Sequence, residues 1–304
     1  MIGVFVMAYG GPNNLDEVEP YLMDVRGYRP TAPAIVHEVR ERYKLIGGRS
    51  PILEQTQTQA HALEAALNKN GQTFKTFVGM RHWHPFIKET LAQMGEQGID
   101  RAIGLVMAPH YSRMSIGAYY QKIEEAQSSI EIKRIDRWHL LPGYLDALTD
   151  RVRSALQQFP IDVRAEVPII FSAHSLPQRI LEWHDPYPDE LRATVAAIVE
   201  RLGPHPYEFA FQSAAISNEP WLGPDVGAAL DRFAHEGKKH VLIAPIGFVV
   251  EHVEILYDID VVFQQQAQKL GLHLERIEML DDAPKMINGL AELIRCTAKE
   301  AGWL

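Results

Sequence analysis

The stretch Ile169-Ile170-Phe171-Ser172-Ala173-His174-Ser175-Leu176-Pro177 decides the fold. Pro168 to Phe171 is apolar without alternation, the pattern of a central parallel strand covered on both faces. Pro177 cannot donate to a strand ladder, so the strand ends in Ser-Ala-His-Ser. Ligands of open α/β sheets bind just beyond the C-terminal ends of the strands, which is where His174 stands. The plainer reading of such a histidine is a structural cap on a strand end. A second stretch weighs against it: Pro245-Ile-Gly-Phe-Val-Val-Glu251-His252-Val-Glu254-Ile-Leu-Tyr-Asp258 is another strand end, followed by a helix with acidic first turns. An imidazole at one strand end and a carboxylate row after another make a candidate site facing a shared cleft.

Outward from these stretches, apolar runs and helical periodicities alternate along the chain. Strands are expected at Ile2 to Met7, Thr73 to Gly79, Arg101 to Ala108 and Ile130 to Ile135, and again at Val167 to Ala173, Tyr207 to Gln212, His240 to Ile246 and His273 to Ile277. Helices lie between them, including one continuous helix from Val253 to about Leu270 and a last one from Pro284 to about Ala301. The halves echo each other. Val-Phe-Val-Met-Ala8-Tyr9-Gly10 pairs with Ile-Ile-Phe-Ser-Ala173-His174-Ser175, Leu-Val-Met-Ala108-Pro109 with Leu-Ile-Ala244-Pro245, and Phe-Val-Gly79 with Ala-Phe-Gln212. The expectation is α/β: two similar three-layer domains with parallel sheets and an interdomain cleft, Tyr9 on one wall and His174 on the other. Residues 1–160 form the first domain, with Pro160 at the boundary. Residues 161–283 form the second, carrying His174 and Glu254, and the helix at about 284–304 returns to the first.

A chain of 304 residues can bury a large core. Its formal charge of −9 and the lack of a basic cluster argue against nucleic-acid binding. Cys296 is the single cysteine, which excludes a disulfide framework and a cysteine-ligated zinc or iron–sulfur cluster. A buried, inert thiol is the expectation for it. The N-terminus runs directly into a strand, and no apolar run is long enough to span a membrane. A cytoplasmic protein with no integral membrane segment is expected.

Glu251, Glu254 and Asp258 stand at i, i+3 and i+7, which on a helix places three carboxylates on one face. Carboxylates with one imidazole suit a divalent ion such as ferrous iron, though an acidic helix start is also favoured by the helix dipole. His82, His84 and His110 read as structural or supporting residues. Tyr9, Tyr43, Tyr111, Tyr119, Tyr120 and Trp221 are expected near the same edge, where rings can stack on a flat apolar ligand or simply pack in the core. Arg26, Arg29, Arg42 and Arg49 can pair with ligand carboxylates or sit on a solvated face. Tyr9-Gly10-Gly11-Pro12 lacks the third glycine of a dinucleotide fingerprint.

Taken together and in order, these motifs resemble a known family. Ser-Ala-His174-Ser-Leu-Pro, Asp185-Pro-Tyr-Pro, Gln212-Ser213, Pro220-Trp221-Leu-Gly-Pro-Asp and Pro-Ile-Gly-Phe-Val-Val-Glu-His-Val-Glu254-Ile-Leu-Tyr-Asp are similar to ferrochelatase. So are Val-Met-Ala-Tyr9-Gly, Arg-Tyr43-Lys-Leu-Ile-Gly-Gly-Arg-Ser50-Pro and Ala-Pro-His110-Tyr-Ser. The likeness spans almost the whole chain and is strongest to the short enzymes of Gram-positive-type bacteria that metallate coproporphyrin III. It implies Rossmann-like, chelatase-type domains and insertion of Fe2+ into a porphyrin, with iron as substrate and neither a permanently bound cofactor nor an iron–sulfur cluster. It implies His174 and Glu254 as catalytic and iron-contacting residues. Tyr9 matches a position facing the opposite side of the macrocycle, able to ligate the product iron. Arg26, Arg42, Tyr43, Ser50 and Tyr119, with Tyr9, match positions that hold the porphyrin.

Two departures stand out. The family's acidic row continues to a position that is Val262 here, which argues against a second, outer metal site, although Asp258 remains. The loop after Arg26 is shortened. The porphyrin and ferrous iron are the implied partners, and a monomer is expected. Protoporphyrin IX as substrate, cobalt or nickel insertion into a related tetrapyrrole, and a porphyrin or haem carrier without catalysis are the alternatives. The presence of both His174 and Glu254 argues against a carrier, which needs no base beside the pyrrole nitrogens.

Overall fold

A computed structural model describes residues 1–69, 71–214 and 219–304. In chain order, the strands are β1 (Ile2–Ala8), β2 (Phe74–Met80), β3 (Arg101–Val106), β4 (Glu131–Ile135), β5 (Ile169–His174), β6 (Tyr207–Gln212), β7 (His240–Pro245) and β8 (His273–Arg276). The helices are α1 (Val18–Val25), α2 (Pro33–Leu45), α3 (Ile52–Leu67), α4 (Ile87–Glu96), α5 (Ile116–Glu125), α6 (Pro142–Leu156), α7 (Tyr187–Leu202), α8 (Val226–His235), α9 (Val253–Leu256), α10 (Gln264–Leu270) and α11 (Pro284–Glu300).

The chain divides into two compact units. The first comprises Met1–Trp138, Val250–Val253 and Asp281–Leu304, and the second His139–Val249 and Glu254–Leu280. Each holds one four-stranded sheet, in the order β2-β1-β3-β4 in the first and β6-β5-β7-β8 in the second, every pairing parallel. The orders superimpose strand for strand, and the three echoed sequence pairs are the corresponding strands β1/β5, β3/β7 and β2/β6. The central strands carry the apolar runs: β1 is buried throughout, and β5 is buried up to His174. The edge strand β4 turns polar residues outward, as a strand with one open side allows.

The division falls after Trp138, earlier in the chain than Pro160. The reason is packing. α6 lies against α7 in the second unit, where the buried Tyr144 hydroxyl donates to the Ile246 carbonyl at 2.5 Å. α11 lies against α3 in the first unit. There Arg295 donates to the carbonyl of Ala66 (2.6 Å), and Gln59 reaches the carbonyl of Asp281 at 2.7 Å. Cys296 is exposed on α11, not buried as expected. The buried stripe of that helix runs through Met286, Leu290, Ile294 and Ala298, and Cys296 falls off it.

The continuous helix expected from Val253 is also broken. Four α-helical residues give way at Asp258–Phe263 to a wider π turn before α10 resumes. Such widenings are uncommon and cluster at functional sites.

Candidate active site

In the second unit the site begins at the C-terminal end of β5. Buried Ile169 to Ala173 hold that strand at the centre of its sheet, so His174 emerges half-buried at its tip. The His174 Nδ1 lies 2.5 Å from the Ser175 carbonyl oxygen. A carbonyl can only accept, so Nδ1 carries the hydrogen and Nε2 of the neutral ring holds the lone pair. The Tyr187 hydroxyl donates to the His174 carbonyl at 2.9 Å. Burial, and then the neighbouring Asp185 charge, push the Tyr187 phenol well above its ordinary range, so it stays a donor. Trp221 and Phe248 stand 6.5 and 6.4 Å from the imidazole centre. The backbone at 176–178 pairs with 220–222 and ties the Trp221 loop beside His174. The motif Pro220-Trp221-Leu-Gly-Pro-Asp therefore supports the strand end.

Glu254 is the second residue of α9, and its backbone carbonyl accepts from the Gln212 side-chain amide at 2.9 Å. Asp258 opens the π turn, and its carboxylate accepts from the Ser213 hydroxyl. Glu251 lies ahead of the helix, so Glu251, Glu254 and Asp258 do not form the expected row on one helical face. The i, i+3, i+7 spacing aligns side chains only where a regular helix spans it. Among the described residues, no group of three or more His, Cys, Asp or Glu side chains is gathered as a metal would require. Val262 is exposed within the π turn. His252 turns inward, its Nδ1 donating to the Val250 carbonyl at 3.0 Å.

In the first unit the corresponding strand is β1, with Tyr9 just past its end. Tyr9 is partly exposed and lies against His82, the ring centres 4.6 Å apart. Arg81 follows β2 directly. Its guanidinium sits 5.8 Å from the Tyr9 ring centre and 5.5 Å from that of Tyr119, joining two of the predicted porphyrin-binding residues. Tyr119 itself is buried on α5, and burial pushes its phenol far above the ordinary range despite Arg81. Gly10 has φ +91°, which favours glycine. A Cβ on Gly11 would stand 2.6 Å from the Ser50 Cβ and Oγ and 3.6 Å from the Tyr43 hydroxyl. The Gly10-Gly11 turn thus lets the loop after β1 close on buried Ser50 and Tyr43, and Ser50 N–H donates to the Pro12 carbonyl at 2.8 Å.

Arg42 pairs with Glu38 one turn earlier on α2, at 2.6 Å. Arg26 is exposed past the end of α1, and its carbonyl accepts from Arg29 at 3.0 Å. Tyr120 belongs to the core, its hydroxyl donating to the carbonyls of Ile135 (2.9 Å) and Gly104 (3.1 Å). Sequence reasoning did not single out Arg81 or Asp24. Arg81 carried one signal, its place at a strand's C-terminal end. Asp24 carried none, since it lies in the last turn of α1 and meets His82 only through the fold.

The Asp24 carboxylate accepts from His82 Nδ1 at 2.8 Å and from the Tyr28 hydroxyl at 3.2 Å. Burial, and then the Arg81 charge, pull the His82 imidazole from its ordinary 6.5 to about 4, against the pull of Asp24. The folded protein therefore binds fewer protons than the unfolded chain between those values. The part of stability linked to His82 is full above about pH 6.5 and is lost as pH falls toward 4. Urea midpoints measured from pH 7 to 4 check this: the fall in the wild type should be shallower in His82→Gln, and parallel curves would contradict it.

Comparison with known proteins gives the family of the chain. A family model described as Ferrochelatase matches residues 1–298. A ferrochelatase of Herpetosiphon aurantiacus is 44% identical, the match covering 96% of this chain and 97% of that one. A coproporphyrin III ferrochelatase of Bacillus subtilis is 36% identical over 96% of each. The solved structure of SirB from Bacillus subtilis with Fe3+ shares the fold, with a TM-score of 0.58, 99% of this chain and 98% of that chain covered, and 11% identity. The chain belongs to the ferrochelatase family and is a metal chelatase that inserts iron into a porphyrin in haem biosynthesis.

Proposed function

We propose that the chain inserts Fe2+ into coproporphyrin III to give coproheme, with His174 taking the pyrrole protons or delivering the metal and Glu254 as its partner. The observation that carries this reading is the hydrogen bond from His174 Nδ1 to the Ser175 carbonyl. It leaves Nε2 as a lone pair at the strand tip, able to accept a proton or contact a metal. As Fe2+ forms its bonds to four nitrogens, two N–H bonds break and each electron pair stays on nitrogen. Two protons leave, and no electron is transferred. The Glu254 carboxylate favours the imidazolium form that follows each transfer. A macrocycle bent out of plane exposes its nitrogen lone pairs, a use of binding energy for distortion.

Tyr9, Arg26, Arg42, Tyr43, Ser50 and Tyr119 are proposed to hold the porphyrin, with Tyr9 as axial ligand of the product iron. The reaction so written needs no resident cofactor or iron–sulfur cluster. The Bacillus subtilis relative supports coproporphyrin III, since its name states that porphyrin. Arginines in the first unit suit a substrate with four propionates. Protoporphyrin IX is the second reading, because the more similar Herpetosiphon relative is named without a porphyrin. Anaerobic Fe2+ insertion with each porphyrin offered separately decides between them. The expected result is a kcat/KM for coproporphyrin III at least about tenfold higher, the loss of two paired carboxylates being costly. The reverse preference would assign protoporphyrin IX.

A further inference from the structure

We infer that Gln212, together with Ser213, is a positioning residue that sets Glu254 relative to His174. The inference rests on the proposed roles of those two residues. Gln212 ends β6 and is fully buried, where an amide is costly unless both of its ends are bonded. Both are. Its Oε1 accepts from the Ser172 hydroxyl at 2.7 Å, and its Nε2 donates to the Glu254 carbonyl at 2.9 Å. Only the NH2 can donate to a carbonyl, so the network admits a single orientation of the amide. Its main chain meets the other candidate. Gln212 is the register partner of His174, and its carbonyl accepts from the Ser175 N–H at 2.8 Å. One residue thus bonds the backbone beside His174 with its own backbone and the backbone of Glu254 with its side chain.

Ser213 adds a second point of attachment. Its φ is +61°, and its hydroxyl donates to the Asp258 carboxylate, one turn beyond Glu254. α9 is only four residues long and runs into the π turn, so it has little stiffness of its own. Its place depends on outside anchors, and the Gln212-Ser213 pair is attached at both Glu254 and Asp258. If Gln212 served the fold alone, its loss would lower stability and leave turnover per folded molecule unchanged. A positioning role requires a drop in kcat, because a small misplacement of a reacting group costs as much as 100-fold.

The test is Gln212→Met, which keeps side-chain length and removes both hydrogen bonds. Anaerobic kcat, porphyrin Kd by fluorescence quenching and the urea midpoint are measured on the same preparation. The expected result is a kcat lower by about 10- to 100-fold, with porphyrin Kd within about twofold. Introduced into Glu254→Gln, the change should cost nothing further, since both act through one group. Ser213→Ala, which leaves the buried amide in place, should show the same pattern with a loss of roughly 3- to 10-fold. A folded Gln212→Met protein with wild-type kcat overturns the inference, as does a loss that multiplies fully with Glu254→Gln. Should His174→Ala and Glu254→Gln both keep wild-type turnover, the reading of the site fails and this inference falls with it. Should they lose turnover while Gln212→Met keeps it, only the positioning role fails.

Discussion

Replacing His174 with alanine is expected to lower the anaerobic rate of Fe2+ insertion by about 100- to 10,000-fold, the range a positioned general base contributes. Porphyrin affinity should stay within roughly threefold, because the groups proposed to hold the macrocycle lie elsewhere in the chain. The imidazole is half-buried and contacts the Trp221 and Phe248 rings at its edges, so its removal disturbs little packing. The loss should therefore appear in kcat and not in the unfolding midpoint. Stopped assays with a porphyrin and anaerobic Fe2+, paired with fluorescence quenching for binding, check the split. Turnover equal to wild type would remove His174 from the mechanism.

The largest stability effect is expected from Phe171→Ala. Phe171 is fully buried in β5, paired with Phe209 on one side and Ala244 on the other. Truncating a phenylalanine in such a core costs about 3–5 kcal/mol, from lost transfer energy and from the cavity left behind. For a unit of this size that corresponds to a fall in midpoint temperature of roughly 10 °C. Because His174 follows three residues later on the same strand, the variant should also lose turnover at temperatures where the wild type is fully folded. Calorimetry measures the shift, and a change below about 1 kcal/mol would mean that the strand does not anchor the second unit.

The architecture was legible because buried parallel strands read as apolar runs, and because the two halves repeat their strand endings. The runs Leu-Val-Met-Ala108-Pro109 and Leu-Ile-Ala244-Pro245 belong to the corresponding strands β3 and β7 of two sheets with the same order, although Ala244-Pro245 closes β7 and Ala108-Pro109 lies just past β3. Less legible was anything set by packing between elements distant in sequence. The boundary was expected at Pro160, where loop residues punctuate the chain, yet α6 goes with the unit it packs against. The stretch from Val253 keeps helical periodicity through the π turn, so spacing alone aligned Glu251 with Glu254 and Asp258 when the backbone does not. Exposure of Cys296 could have been read from its offset from the Met286–Leu290–Ile294 stripe.

The site was legible as a set of residue types and less so as a set of contacts. His174 and Tyr9 stand at strand ends, where a parallel sheet presents ligand-binding groups. Arg81, Asp24 and the partners of Gln212 are joined only through register and loop closure. Gln212 did carry one signal, a polar residue closing the apolar run Phe209-Ala210-Phe211. A buried amide at such a place needs partners, but nothing local names Ser172 and Glu254 as those partners.

The most direct test of the account is metallation by the wild-type protein itself. Coproporphyrin III is mixed with the protein under anaerobic conditions, Fe2+ is added, and the visible absorbance of the porphyrin is followed to completion. Catalytic metallation is expected, with many porphyrins converted per protein and two protons released for each iron inserted. Tight binding of both coproporphyrin III and protoporphyrin IX without metallation of either would contradict it and leave a porphyrin-binding protein that has kept the fold without the chemistry.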